Sequence, residues 1–129
     1  MKKYILQLVF FTSLIEIFLI LFFNFFNFTK VILFTSSLIN KWYLNYLINF
    51  ISIFIINLII SYIYLILIKK DNIFVYFMIG IFIGLIYFGL YKIINYHEII
   101  RFIDILTIIL LNIFKTYMIC YSLFYKYLL

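Results

Sequence analysis

Alanine and proline are missing altogether from this 129-residue chain, and glycine occurs only three times, cysteine once and histidine once. Each scarcity removes a class of function. One cysteine, Cys120, excludes an intramolecular disulfide and a cysteine-based metal site. Three glycines, all in one apolar run, leave no glycine-rich loop to cradle a phosphate. A lone histidine, His97, has Glu98 beside it but no second ligand at useful spacing, and no Ser-His-Asp set can be assembled. The reading is therefore a non-enzymatic protein with no catalytic, metal or cofactor site and no evident small-molecule substrate.

Charge is the scarcest commodity. Ten basic and four acidic residues cannot cover the surface of a soluble protein of this size. What is abundant instead is isoleucine and phenylalanine, with asparagine, lysine and tyrosine, residues whose codons are AT-rich. That usage points to an AT-biased genome, such as a low-GC bacterium, an endosymbiont or an organelle. The chain is 70% hydrophobic and has a mean hydropathy of +1.30.

The apolar residues form four long runs with short charged breaks, so the expected fold is an all-α integral membrane protein of about four transmembrane helices in a single domain, 1–129. The lipid bilayer is its first partner. The expected spans are 5–28, 43–68, 73–91 and 96–126. The segment from Thr29 to Trp42 is too short to span and is expected at the interface, with Trp42 among the headgroups. Lys2 and Lys3 precede the first run, as in a signal peptide. That run is long, holds Glu16 and lacks a small-x-small cleavage site, so it is read as an uncleaved span. The net charge of +6 forms no nucleic-acid patch. The lysines sit at the ends of runs, where they anchor helices and set orientation. Lys2, Lys3, Lys69, Lys70 and Lys126 fall on one side, against Lys30, Lys41, Lys92 and Arg101 on the other, which places both termini in the cytoplasm.

The polar residues within the runs fall on faces. In the first run Thr12, Ser13, Glu16, Asn24 and Asn27 lie within an arc of roughly 120°. In the second, Asn45, Asn49 and Ser52 share one face, and Asn57 and Ser61 an adjacent one, a ladder able to bond across to the first run. The short polar turn Lys69 to Asn72 sends the third run back beside the second. Gly80, Gly84 and Gly89 mark it as the helix that a neighbour approaches closely, in internal packing rather than dimerisation. In the fourth, His97, Arg101, Asp104, Asn112, Lys115, Ser122 and Lys126 lie within roughly 80°, along a helix near 45 Å long at ~1.5 Å per residue. Such a helix either spans with its stripe inward or lies partly in the interface. The span is the favoured reading.

Glu16 is either a proton or ion site or, as favoured here, a structural carboxyl kept neutral by burial or bonded to Asn49 or Ser52. Arg101 and Asp104, three apart, form a charge-compensated pair, with a relay or substrate clamp as the alternative.

The second and third runs, Tyr46 through Tyr91, resemble the membrane core of the YabQ-type spore cortex biosynthesis proteins. The likeness lies in Asn49, the turn Lys69 to Asn72, Tyr76, Gly80, Gly84 and Tyr87, with Gln7 to Thr12 and the charged last helix, Lys92 and Arg101, in keeping. It departs in the first run, which lacks glycine, and in the turn, where Lys70 and Asp71 stand for a Gly and an Arg. The resemblance implies a non-enzymatic protein of the membrane around the forespore, supporting cortex peptidoglycan assembly during sporulation as scaffold or partner. Two other readings fit the composition: a small structural subunit of a larger membrane complex, such as an organellar respiratory complex, and a small transporter or rod-shape membrane protein.

Overall fold

A computed structural model describes residues 2–25, 42–69, 72–94 and 101–128. The expected interfacial segment as far as Lys41, the residues Asn27, Lys30, Lys70, Asp71, His97 and Glu98, and the side chains of Asn24 and Trp42 lie outside the described part. Four helices make up the rest: α1 (Lys2–Phe25), α2 (Trp42–Ile63, extended by a π-type turn Tyr64–Ile68), α3 (Ile73–Ile94) and α4 (Phe102–Leu123, extended by a second π-type turn Phe124–Leu128). All four are long and apolar enough to cross a membrane. A helix satisfies every backbone N–H and C=O within its own segment, which lipid demands. The absence of proline leaves each run uninterrupted.

The helix ends are built by particular residues. At the end of α2, the Lys69 N–H donates to the Tyr64 carbonyl (3.1 Å), five residues back. Lys69 itself is left-handed, φ 52°, which stops the helix. The Asn72 side-chain oxygen then accepts the Phe74 N–H at 2.9 Å and starts α3. The fourth helix starts later than its hydrophobic pattern predicts. Arg101 is extended (φ −89°, ψ 156°), so the helix begins at Phe102 and not near Tyr96. The cause is Asp104, whose carboxylate accepts the backbone N–H of Arg101 at 3.0 Å, the reciprocal half of a capping box. The span Phe102–Tyr127, 26 residues, is about 39 Å long at ~1.5 Å per residue, long enough to cross a bilayer with some tilt.

Helix α4 is the hub, packing on α1, α2 and α3. It lies antiparallel to α3, with Gly80 at Ile113 and Gly84 at Ile109. A Cβ added at Gly80 would lie 2.5 Å from the Ile113 Cα, and one at Gly84 would lie 3.3 Å from the Ile109 Cα. The glycines therefore bring the α3 backbone against α4. Helix α3 also meets α2, beside which it was expected to run, through side chains, as where the Tyr64 and Tyr76 hydroxyls approach to 3.3 Å. The expectation for Gly89 is corrected, because a Cβ there would meet nothing within 4 Å.

Helix α1 is also antiparallel to α4. Glu16 meets Lys115, the Tyr4 and Tyr127 rings pack edge to face, and Lys126 lies 5.4 Å from the Tyr4 ring centre. The start of α1 and the end of α4 thus occupy the same end of the bundle. An apolar core of Ile5, Val9, Ile60, Tyr64, Tyr76, Ile119, Cys120 and Leu123 fills that end. A smaller one, Tyr87, Tyr91 and Ile108, fills the other.

Candidate functional site: a buried ion pair and its polar neighbours

Between these two apolar cores lies a band of polar side chains. From α1 come Thr12, Ser13 and Glu16, from α2 Asn57 and Ser61, and from α4 Asn112, Lys115 and Thr116, all buried. The periodicity of each helix puts its polar residues on its inward face, and packing around α4 brings the three faces together. At the centre the Lys115 Nζ donates to Glu16 Oε1 at 3.0 Å, with the two side chains 2% and 5% exposed. The other carboxylate oxygen, Oε2, accepts Asn57 Nδ2 at 3.4 Å, and Asn57 also donates to Ser13 Oγ at 3.0 Å. Three of the other polar groups reach back one turn, while the buried Thr116 hydroxyl has no partner within the protein. Thr12 bonds the Leu8 carbonyl (2.7 Å), Ser61 that of Asn57 (2.9 Å) and Asn112 that of Ile108 (2.8 Å).

Charge in hydrocarbon is costly and persists where an opposite charge and hydrogen bonds meet it. Glu16 has both. Its partners correct the expected ones: the carboxylate meets Lys115 and Asn57, not Asn49 or Ser52. Asn49 donates instead to the Asn45 backbone and side-chain oxygens (2.9 and 2.6 Å), and Ser52 to the Ile48 carbonyl (2.9 Å). Lys115 belongs to the polar stripe, yet it stands mid-helix and serves as an interior counter-ion rather than as an end anchor. The signal in the sequence was a pair of opposite charges, each near the middle of its own apolar run.

The Arg101–Asp104 pair is separate from this centre. The guanidinium contacts the carboxylate through Nε (3.3 Å) and Nη2 (3.2 Å), with Asp104 buried and the Arg101 side chain 48% exposed. It closes the first turn of α4 at one end of the bundle. Ser122 is half-buried and Lys126 exposed, so the inward part of the stripe runs from Asp104 to Lys115. Among the described residues no three His, Cys, Asp or Glu side chains are grouped to hold a metal ion.

The outer surface is the converse of this interior. Phe11, Phe18 and Phe25 on α1, Ile66 and Leu67 after α2, Phe74 and Phe82 on α3 and Phe102 on α4 all stand exposed. Polar groups inside and bulky apolar groups outside, on four helices of spanning length, define a polytopic integral membrane protein whose outer surface faces lipid. No family model, curated protein or solved structure matches the chain.

Proposed function

We propose that this chain is a non-enzymatic membrane scaffold or partner protein of the YabQ type, supporting spore cortex peptidoglycan assembly from the membrane around the forespore, with both termini in the cytoplasm. One observation supports the reading most. Of the residues that carry the likeness, the five within the helices, Asn49, Tyr76, Gly80, Gly84 and Tyr87, are buried. Their spacing is thus the spacing that holds the bundle together, and a relative sharing it would share the helix packing. The ion pair suits a scaffold too, since Glu16 spends both oxygens on Lys115 and Asn57 within the chain. Deletion of the gene in an endospore-forming host tests this. Spores lacking normal cortex are expected, and spores with normal cortex overturn the proposal.

A second reading, a structural subunit of a larger membrane complex, draws on the outer face of α4. Two apolar grooves of about 350 and 440 Å3 run along it, sharing Leu110 and Phe114 in their walls. Purification at native mass in mild detergent separates the readings: stable co-elution with respiratory subunits favours the second.

A further inference from the structure

A small void lies beside the ion pair where three helices converge. Its walls include Glu16 of α1, Tyr87 of α3, and Thr107 and Asn112 of α4. Its volume is about 10 Å3, close to the roughly 10–15 Å3 that one water needs. Asn112, 2% exposed, has committed its amide N–H to the Ile108 carbonyl, and its Oδ1 has no partner in the protein. A buried amide oxygen without a partner costs free energy comparable to a lost hydrogen bond. The Glu16 carboxylate, on another wall, accepts one bond at each oxygen and retains lone pairs for more.

We propose that this void is a specific site for one structural water, which donates one hydrogen to Asn112 Oδ1 and the other to the Glu16 carboxylate. The match is of size and of bonding together, because both flanking groups accept and water carries two donors. A metal cation would suit the same oxygens but not the charge. The Lys115 ammonium, 3.0 Å from Glu16 Oε1, already supplies the positive partner. The water ties α1 to α4 at a second point beside the salt bridge, and sets the Glu16 carboxylate against the wall formed by Tyr87 of α3. The proposal is independent of the sporulation reading.

The test uses the full chain in lipid nanodiscs. Exchange of ordinary water for 18O-labelled water should shift an O–H stretching band of an internal, strongly bonded water in the infrared spectrum, and Asn112→Leu should abolish that band. The same variant should lower the folded-to-unfolded ratio roughly tenfold, because leucine displaces the water without replacing its bonds. A dry void predicts the opposite. No band would be present, and Asn112→Leu would leave stability unchanged or raise it by removing an unsatisfied carbonyl. If Asn112→Leu does not fold, high-resolution density of the unmodified protein decides. An oxygen peak within hydrogen-bonding distance of both Asn112 Oδ1 and Glu16 supports the site, and a blank void overturns it.

Discussion

Replacing Lys115 with methionine keeps the length and the apolar stem of the side chain while deleting its charge. Glu16 would then remain 5% exposed inside the bundle, with Asn57, at 3.4 Å, as its one cross-helix donor. Breaking a buried pair by removing one partner costs about 3–5 kcal/mol, chiefly through the charge left behind. The retained Asn57 bond puts the expectation near the lower end, about 3 kcal/mol. At ~1.4 kcal/mol per decade that is on the order of a hundredfold in the unfolding equilibrium. The double variant Glu16→Gln/Lys115→Met removes both charges and keeps an acceptor for Asn57, so its loss should be about 1 kcal/mol. The double variant should therefore be more stable than Lys115→Met alone. Cys120 supplies the assay. It is the sole cysteine in the sequence and is 0% exposed, so a thiol reagent reaches it only when the bundle opens. Its labelling rate in nanodiscs should rise about a hundredfold in the single variant and far less in the double. If the two substitutions add, with a coupling below about 0.5 kcal/mol, the ion pair does not hold the bundle and the reasoning fails.

Three further outcomes follow from the geometry. Alanine substitutions of the glycines should rank Gly80 worst, because its new Cβ would meet the Ile113 backbone at 2.5 Å, and Gly84 next, at 3.3 Å. Gly89→Ala should raise stability by roughly 0.5 kcal/mol through helix propensity, and thermal unfolding in detergent reads all three, with any other order counting against the α3–α4 seam. A double-mutant cycle of Tyr64→Phe and Tyr76→Phe should give a coupling of about 0.6 kcal/mol, the average for hydrogen bonds between membrane helices, and zero coupling would remove the 3.3 Å hydroxyl contact from the account. Asp104→Asn should cost about 1 kcal/mol by weakening the cap on the Arg101 N–H. Arg101→Gln should cost less, since a half-exposed guanidinium contributes little, and equal losses would show the charge pair to matter more than the cap.

Much of the fold was legible because lipid leaves few options. A run of twenty apolar residues must be helical, and a polar residue in it must turn inward. The second and third helices accordingly begin within a residue of their expected positions, 43 and 73 against Trp42 and Ile73. The glycine spacing also announced a close approach at Gly80 and Gly84. What periodicity cannot supply is the order of helices around the bundle. It gives each helix a face but not the neighbour which that face meets. Gly80 was therefore readable as a contact, while its partner Ile113 was not. For the same reason Glu16 was assigned to a neighbour in sequence, on α2 at Asn49 or Ser52, when its counter-charge sits on the last helix. The late start of α4 was hidden differently: a four-residue cap from Arg101 to Asp104 overrides a polar stripe that continues smoothly through His97.

The contact between Glu16 and Lys115 joins residues 99 apart in sequence. At roughly 5–20 residues per second, the ribosome reaches the lysine about 5–20 s after the glutamate. For that interval the first helix carries a carboxylate into the membrane with no counter-ion, and Asn57 of the second helix is the earliest group able to bond it. The chain is thus incomplete as a membrane object until its last helix arrives. A product truncated before residue 115 would display an uncompensated acid in lipid, a mark by which membrane quality control could tell an unfinished chain from a finished one.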